Sequence, residues 1–461
     1  MSRPVISVLG AGHLGATHAA CLAELGFEVH VFDPNDEKIH DLQRGFAPFF
    51  EPGLAPLLRT HIATGRLSFS TDVREVVRSC DVHFICVDTP QAARSLAADT
   101  SAVTEAVRSI ARFAQRPGLV VGKSTVPVGT AECLAAALDG AARPGRALDL
   151  AWNPEFLREG HAVDDSLAPD RLVFGVRTAS AEERLRCIYE RALKAGAPAV
   201  VTDLTSAQLV KLAANSFLAT KISFINAVSE VCDAVGADVL DVAIALGLDG
   251  RIGSGGLRPG LGFGGGCIPK DIRAFAHRAA EVGAVDMAGL LKRVDAINMR
   301  CRTRIVELAA QLTGGLAERT VILLGGAFKA GSDDTRDSPA LAVATAIHDE
   351  GGRVRIFDPV AAPNLPLEQQ PFLECIDSLE AAVADSDLLI VCTEWGDFAD
   401  IEPLTLGRHV RHRRVIDARH ILDADRWRDA GWLYRAPGRP SVREPRTTRS
   451  DKAQFSMSSG R

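Results

Sequence analysis

Val5-Ile6-Ser7-Val8-Leu9-Gly10-Ala11-Gly12-His13-Leu14-Gly15 is the run whose reading decides the fold. Its first five residues predict a short buried strand. Glycines at 10, 12 and 15 follow, then Ala16, Ala19, Cys21, Leu22 and Leu25 in a helix-like run. A second strand over residues 29–32 ends at Asp33. This is the strand–turn–helix setting in which such glycines signal a dinucleotide site. Gly10 permits the turn, Gly12 admits a pyrophosphate and Gly15 lets the helix pack closely. The helix N-terminus favours phosphate charge. Asp33 is placed to bind the adenosine ribose hydroxyls and would repel an added 2'-phosphate, which points to NAD over NADP. The alternative is the same fold with the glycines serving only packing.

Outward from this run, the alternation of elements continues. Residues 81–87 and 119–122 read as core strands, followed by Asp88-Thr89-Pro90 and Lys123-Ser124-Thr125-Val126-Pro127. Both follow strand ends, where a parallel sheet presents its ligand loops. Thr125 reads equally as a contact to the nicotinamide half or as a turn hydroxyl. Glu51-Pro52-Gly53-Leu54 reads as a structured insertion. A strand over 148–152 leads into Asn153-Pro154-Glu155-Phe156-Leu157-Arg158-Glu159-Gly160. Glu155 and Glu159 share a face if this is a helical turn. Glu155 suits a base, and Glu159 an orienting carboxylate.

A long helix is expected over 206–235, with Lys211 and Asn215 on one face. Together they suit an oxyanion; the bland reading is an exposed lysine and a polar cap. Leu218, Ile222, Ile225 and Val228 supply an apolar face for a core or a subunit interface. Further helices are expected over 238–246 and 286–312. Between them lies Gly262-Phe263-Gly264-Gly265-Gly266-Cys267-Ile268-Pro269-Lys270-Asp271, with four glycines leading into a cysteine. That thiol is a candidate nucleophile, and Lys270 is placed to help hold it as thiolate. A glycine linker beside an ordinary buried cysteine is the alternative. Residues 320–326 open a second strand–glycine pattern without the full spacing, and 354–357, 388–392 and 415–417 read as further strands. Lys329 and Arg336 lie near its first loop, suited to phosphate or to a salt-bridged hinge.

The 461 residues are 47% apolar with a net charge of -6, which suits two or three folded domains and disfavours a general nucleic-acid binder. No apolar run suits a bilayer span and no signal peptide is read, so a cytoplasmic protein with no membrane partner is expected. Ten cysteines are scattered without disulfide or metal spacing, so most are expected in the core and no metal is expected. The fold class expected is α/β: two Rossmann-like doubly wound domains joined by a central helical domain with a long helix. The boundaries are 1–205 for NAD binding, 206–312 for the central domain, 313–436 for the nucleotide sugar and 437–461 for a mobile tail.

GAGHLG, the stretch from Glu51, KSTVPVGT, NPEFLREG, KLAANSFLATKISF, GFGGGCIPKD and FKAGSDDTRDSP occur in this order. From residue 5 to about 434 the chain thereby resembles the UDP-glucose/GDP-mannose dehydrogenase family. The resemblance implies two successive NAD-dependent oxidations of a sugar alcohol to a uronic acid. It implies Cys267 as nucleophile, through a thiohemiacetal and a thioester. Lys211 and Asn215 resemble the oxyanion pair, Asp271 a proton-transfer partner, Glu155 the base of thioester hydrolysis and Thr125 the cofactor–substrate junction. Cofactor contacts are implied at Gly10, Gly12, His13, Leu14, Gly15, Asp33, Lys38, Thr89, Glu159, Lys270 and Arg336. Substrate contacts are implied at Glu155, Phe156, Leu157, Phe263, Gly264, Phe328 and Lys329, with Arg251 contributed across a homodimer interface. His13 departs from the family's frequent tyrosine, and Gly266 from its usual serine. UDP-glucose is the leading substrate; GDP-mannose or another NDP-glucose is the alternative. A nucleotide-sugar sensor without catalysis would have been favoured by loss of Cys267, Lys211 or Asp271, and all three are present.

Overall fold

The structure is a computed structural model that describes residues 3–93, 95–142 and 145–440. Its first sheet grows from β1 (Ile6–Leu9) and β2 (Val29–Phe32), joined by the helix His13–Glu24. β3 (Leu67–Ser70), β4 (Val82–Ile85), β5 (Gly118–Gly122), β6 (Leu148–Trp152), β7 (Leu172–Gly175) and β8 (Ala199–Thr202) complete it. The strand order is 3-2-1-4-5-6-7-8. The first six are parallel in the order of a dinucleotide-binding sheet. β7 turns antiparallel to β6, meeting it at Trp152 and Gly175.

A second sheet comprises β9 (Thr320–Leu324), β10 (Arg353–Phe357), β11 (Leu373–Cys375), β12 (Leu388–Val391), β13 (Arg414–Asp417) and β14 (Leu433–Arg435). Its order, 11-10-9-12-13-14, repeats that of the first six strands, and every pair is parallel. β1, β4, β5, β9 and β12 are buried at every residue, as strands covered on both faces must be. The helical region contains Leu204–Val235 (32 residues), Val239–Gly247, Ile268–Glu281 and Val285–Thr313 (29 residues). The fold is the expected α/β class with a long central helix. No helix among the described residues is long and apolar enough to cross a membrane.

By internal contacts one unit takes in the chain through Ala219, Gly264–Asp295 and Lys329–Arg336. The other takes in Thr220–Phe263, Ala296–Phe328 and the chain from Asp337. The cysteine loop and the Lys329–Arg336 segment thus pack with the first sheet, although both follow it by many residues. In the second unit, Ile225 is fully buried against Cys232, Val239, Ala243 and Leu257, with Val228 beside them. Ile225 and Val228 therefore face core. Leu218 of the expected face is exposed, as are Leu209, Phe217, Phe224, Val231 and Val235 of the same helix.

The tail expected over 437–461 lies outside the described residues beyond 440. Before that point Gly438 N donates to Asp233 (2.8 Å) and Gly438 O accepts from Val239 N (2.9 Å).

Gly122 fixes how β5 and β6 meet. A Cβ there would lie 2.2 Å from the ring of Trp152, which is fully buried. Gly122→Ala is expected to destabilise the protein by about 1–3 kcal/mol through overpacking. The check is the midpoint of urea unfolding; an unchanged midpoint contradicts the close contact.

Candidate active site

The first glycine loop is shaped by sterics. Gly10 has φ +98°, and a Cβ there would lie 2.7 Å from Cys86 O. A Cβ on Gly15 would lie 1.8 Å from Gly10 O. Gly12, by contrast, faces open space, and it begins the helix His13–Glu24 without a side-chain cap. Uncapped N–H groups beside open space form an anion cradle. Asp33 follows β2 and is buried. It accepts from Ala11 N (2.9 Å), Asn35 N (3.1 Å) and Lys38 Nζ (3.0 Å). The cradle and this fixed carboxylate fit the pyrophosphate and adenosine ribose of NAD.

Leu14 packs against the core beneath the loop. His13 stacks on Phe49, with centroids 4.5 Å apart, and its Nε2 lies 2.6 Å from Glu51 Oε2. Glu51 also accepts from Gly160 N (2.8 Å) and Ala162 N (2.9 Å), so the insertion clamps the turn after Glu159. Glu159 accepts from Ser332 Oγ at 3.0 Å, with Arg336 at 3.9 Å and His13 Nδ1 at 4.0 Å. Burial raises its carboxyl, Asp334 adds to this, and His13 and Arg336 oppose it. A Cβ on Gly266 would lie 2.4 Å from Arg336 Cζ. Gly266 therefore leaves room for this guanidinium, which Asp334 holds at 2.7 Å.

The reactive cluster lies where the helices Leu204–Val235 and Ile268–Glu281 pack through Leu212, Phe275 and Ala276. Cys267 is the N-cap residue of the second helix, and it is exposed. Lys211 Nζ lies 2.7 Å from Glu155 Oε1, and both side chains are nearly buried. Burial pushes the Glu155 carboxyl up, but Lys211, the Leu157 N–H (2.6 Å) and Lys123 outweigh it, leaving it below the usual range. Burial likewise pushes Lys211 down, and Glu155, Asp271 and Cys267 leave it above the ordinary lysine value. Asp271 Oδ2 accepts from Asn215 Nδ2 (2.7 Å) and its Oδ1 from Lys270 Nζ (2.7 Å). Lys270 also reaches Thr89 Oγ1 (3.4 Å), which donates to Thr125 O (2.7 Å).

Two local expectations are corrected. Residues 153–158 belong to no helix or strand and 159–160 form a turn, so Glu155 and Glu159 do not share a helical face. Lys270 is not the cation of the thiol: it is engaged with Asp271, and the nearby cation that lowers the Cys267 thiol is Lys211. A helix N-terminus ordinarily favours thiolate. Here desolvation, followed by Glu155 and Asp271, pushes the thiol up to about 12, so the resting group is protonated.

The remaining expected residues divide between the units. Phe156, whose ring lies under Arg171 (3.8 Å), belongs to the first with Leu157, Gly264 and Lys329. Phe263, Phe328 and Arg251 belong to the second. Arg251 is held by Asp249 (2.6 Å), and its side chain is 90% exposed. The buried Asn298 was missed by the sequence reading. It accepts from Phe263 N (2.8 Å) and donates to Phe263 O (3.0 Å), closing the loop at Gly262. An amide amid the apolar positions of Val285–Thr313 was its signal.

The NAD-binding domain of the UDP-glucose/GDP-mannose dehydrogenase family matches residues 4–193, its central domain 205–300 and its UDP-binding domain 322–424. The chain belongs to this family. It is an NAD-dependent nucleotide-sugar dehydrogenase with NAD as cofactor. It is 35% identical to UDP-glucose 6-dehydrogenase TuaD of Bacillus subtilis over 97% of this chain and 95% of the relative. It is 37% identical to the UDP-glucose 6-dehydrogenase of Rhizobium meliloti over 94% of this chain and 99% of the relative. The UDP-glucose dehydrogenase structure from the archaeon Pyrobaculum islandicum superposes with TM-score 0.87 at 36% identity, covering 95% of this chain and 98% of that one.

The Lys211–Glu155 pair sets a pH-dependent prediction. A lowered carboxyl contributes stability above its unfolded value and loses it as pH falls through the folded one. Lys211→Met leaves Glu155 charged and buried at neutral pH, and an expected loss of about 3–5 kcal/mol follows. The deficit relative to wild type should narrow on acidification as Glu155 protonates. Urea unfolding at several pH values checks this; a deficit independent of pH contradicts the pairing.

Proposed function

We propose that this dehydrogenase oxidises UDP-glucose to UDP-glucuronate by two two-electron steps at one site. The observation that carries the reading is the exposed Cys267 thiol at a helix N-terminus, amid Lys211, Asn215, Glu155 and Asp271. The names of the relatives support the substrate. Bound NAD accepts the hydride in each oxidation.

The first oxidation turns the sugar C6 alcohol into an aldehyde, with loss of a hydride and a proton. The Cys267 sulfur adds to the aldehyde carbon while its proton passes, by way of a nearby carboxylate, to the former carbonyl oxygen, giving a thiohemiacetal. Loss of a second hydride and proton gives a thioester. Water, activated by Glu155, cleaves it to the acid and restores the thiol. One of the three Lys211 ammonium hydrogens is engaged by Glu155, and one Asn215 amide hydrogen by Asp271. Their other donors serve the oxyanion that forms at each tetrahedral stage. The neighbouring carboxylates, which add to desolvation in raising the thiol, are also its proton acceptors. Asp33, Lys38, Thr89, Thr125, Glu159, Lys270 and Arg336 serve the cofactor. Phe156, Leu157, Phe263, Gly264, Phe328 and Lys329 serve the nucleotide sugar.

The enzyme works in the cytoplasm as a homodimer. Phe224, Val231 and Val235 on one helix, and Ile244 and Leu248 on and just after the next, are 51–71% exposed. Such large apolar side chains on neighbouring turns suit subunit contact. Arg251, extended into solvent, suits donation to the partner's site.

Two measurements test these readings. Progress curves with UDP-, GDP- and dTDP-sugars should give two NADH per UDP-glucuronate. Cys267→Ser should bind UDP-glucose and form no acid. One NADH per product, or normal acid formation by the variant, would overturn the mechanism; preferred turnover of GDP-mannose would overturn the substrate. For the dimer, Phe224→Glu should shift the protein to monomer in sedimentation velocity and reduce activity. An unchanged assembly would remove this face from the interface.

A further inference from the structure

Lys123 follows β5, and its side chain is buried. It has no carboxylate within bonding distance among the described residues. Its Nζ instead donates to Asn153 Oδ1 (3.1 Å) and Tyr189 Oη (3.2 Å). The tyrosine hydroxyl donates to the same Asn153 oxygen at 2.5 Å. Asn153 Nδ2 donates to Val173 O (3.0 Å), and Asn153 N to Gly122 O (2.8 Å). Asn153 is thus held from every side, two residues before Glu155.

A buried ammonium with no carboxylate at bonding distance is costly to keep charged. Groups of several elements feel it. His18 from the helix His13–Glu24 is lowered chiefly by burial and then by Lys123. Cys86, after β4, is raised by burial and lowered by Lys123. Glu155 raises Lys123, and Lys211 lowers it. From Lys123 through Glu155, Lys211 and Asp271 to Lys270, the charges alternate in sign.

We propose that Lys123 is a positioning residue for Glu155, fixing the turn that carries it through Asn153 and supplying a second positive charge to its carboxylate. The proposal rests on Glu155 acting in thioester hydrolysis. Burial lowers Lys123 to about 8, so this charge is present below that pH and is lost above it. The contribution to turnover should fade over the same range.

The test compares wild type, Lys123→Met and Lys123→Arg in kcat for UDP-glucuronate formation across pH 8, with the KM for NAD and UDP-glucose recorded. Asn153 and Tyr189 satisfy each other in Lys123→Met, so the network survives loss of the ammonium. Below pH 8, Lys123→Met should lose roughly 10-fold in kcat, a part of the effect of a well-placed general base, with both KM values little changed. The ratio of wild-type to Lys123→Met rates should fall toward one as pH rises through 8. Lys123→Arg, charged throughout, should restore the rate at low pH and exceed wild type above 8. Where Lys123→Met is not recovered folded, the Lys123→Arg profile decides alone. Parallel pH profiles in the recovered variants, or a loss confined to KM, would overturn the proposal while leaving the two-step reaction intact. A wild type that forms no acid would overturn both.

Discussion

The ion pair between Glu155 and Lys211 is the constraint on which the site depends. It joins the end of the first sheet to the long helix. Each helps the other keep its charge against the cost of burial. Each is also within electrostatic reach of Cys267: desolvation raises the thiol most, Glu155 and Asp271 add to this, and Lys211 opposes them. A nucleophile kept neutral until a carbonyl is present is protected from adventitious oxidation and alkylation.

This pair is placed by backbone geometry before it is placed by electrostatics. β6 delivers Asn153 and Glu155 at its C-terminal end, beside the Lys123 that ends β5. The long helix brings Lys211 and Asn215 to the same side, one turn apart. The helix Ile268–Glu281 packs on it and presents Cys267 and Asp271. Arg336, returning from far along the sequence, lies over Gly266, where a side chain larger than hydrogen would meet it.

The interior of both sheets was legible in the sequence because strands covered on two faces are uninterrupted apolar runs. β1, β4, β5, β9 and β12, buried at every residue, come nearest to this, while β6 and β13 carry Asp149, Arg414 and Asp417 within them. β3, β8, β11 and β14 were not expected, and all four lie at sheet edges. Their residues alternate between cover and solvent or are mostly exposed, so composition alone does not distinguish them from loops. The glycine fingerprint and Asp33 were legible because their spacing is dictated by backbone approach to phosphate. Lys211, Asn215 and Asp271 were suggested by helical spacing and family resemblance. Their actual partners were not, because Lys211–Glu155 and Asn215–Asp271 join residues 56 apart in the chain. The helical turn expected at Glu155 is absent, in keeping with the bias of Pro154 against helix at Asn153 before it. Asn298 escaped notice, and Lys123 and Glu51 were read only as parts of a ligand loop and an insertion, because a buried polar side chain gives no pattern until its partner is in place.

The central claim is that the Cys267 sulfur carries the sugar as an acyl group between the second oxidation and hydrolysis, with Glu155 needed for its release. Intact-protein mass spectrometry of Glu155→Gln, quenched in acid during turnover with UDP-glucose and NAD, tests it most directly. The account predicts one UDP-glucuronyl group added to the chain, mapping to the peptide that contains Cys267. An unmodified Cys267 in a variant that is still reducing NAD under the same conditions would contradict it.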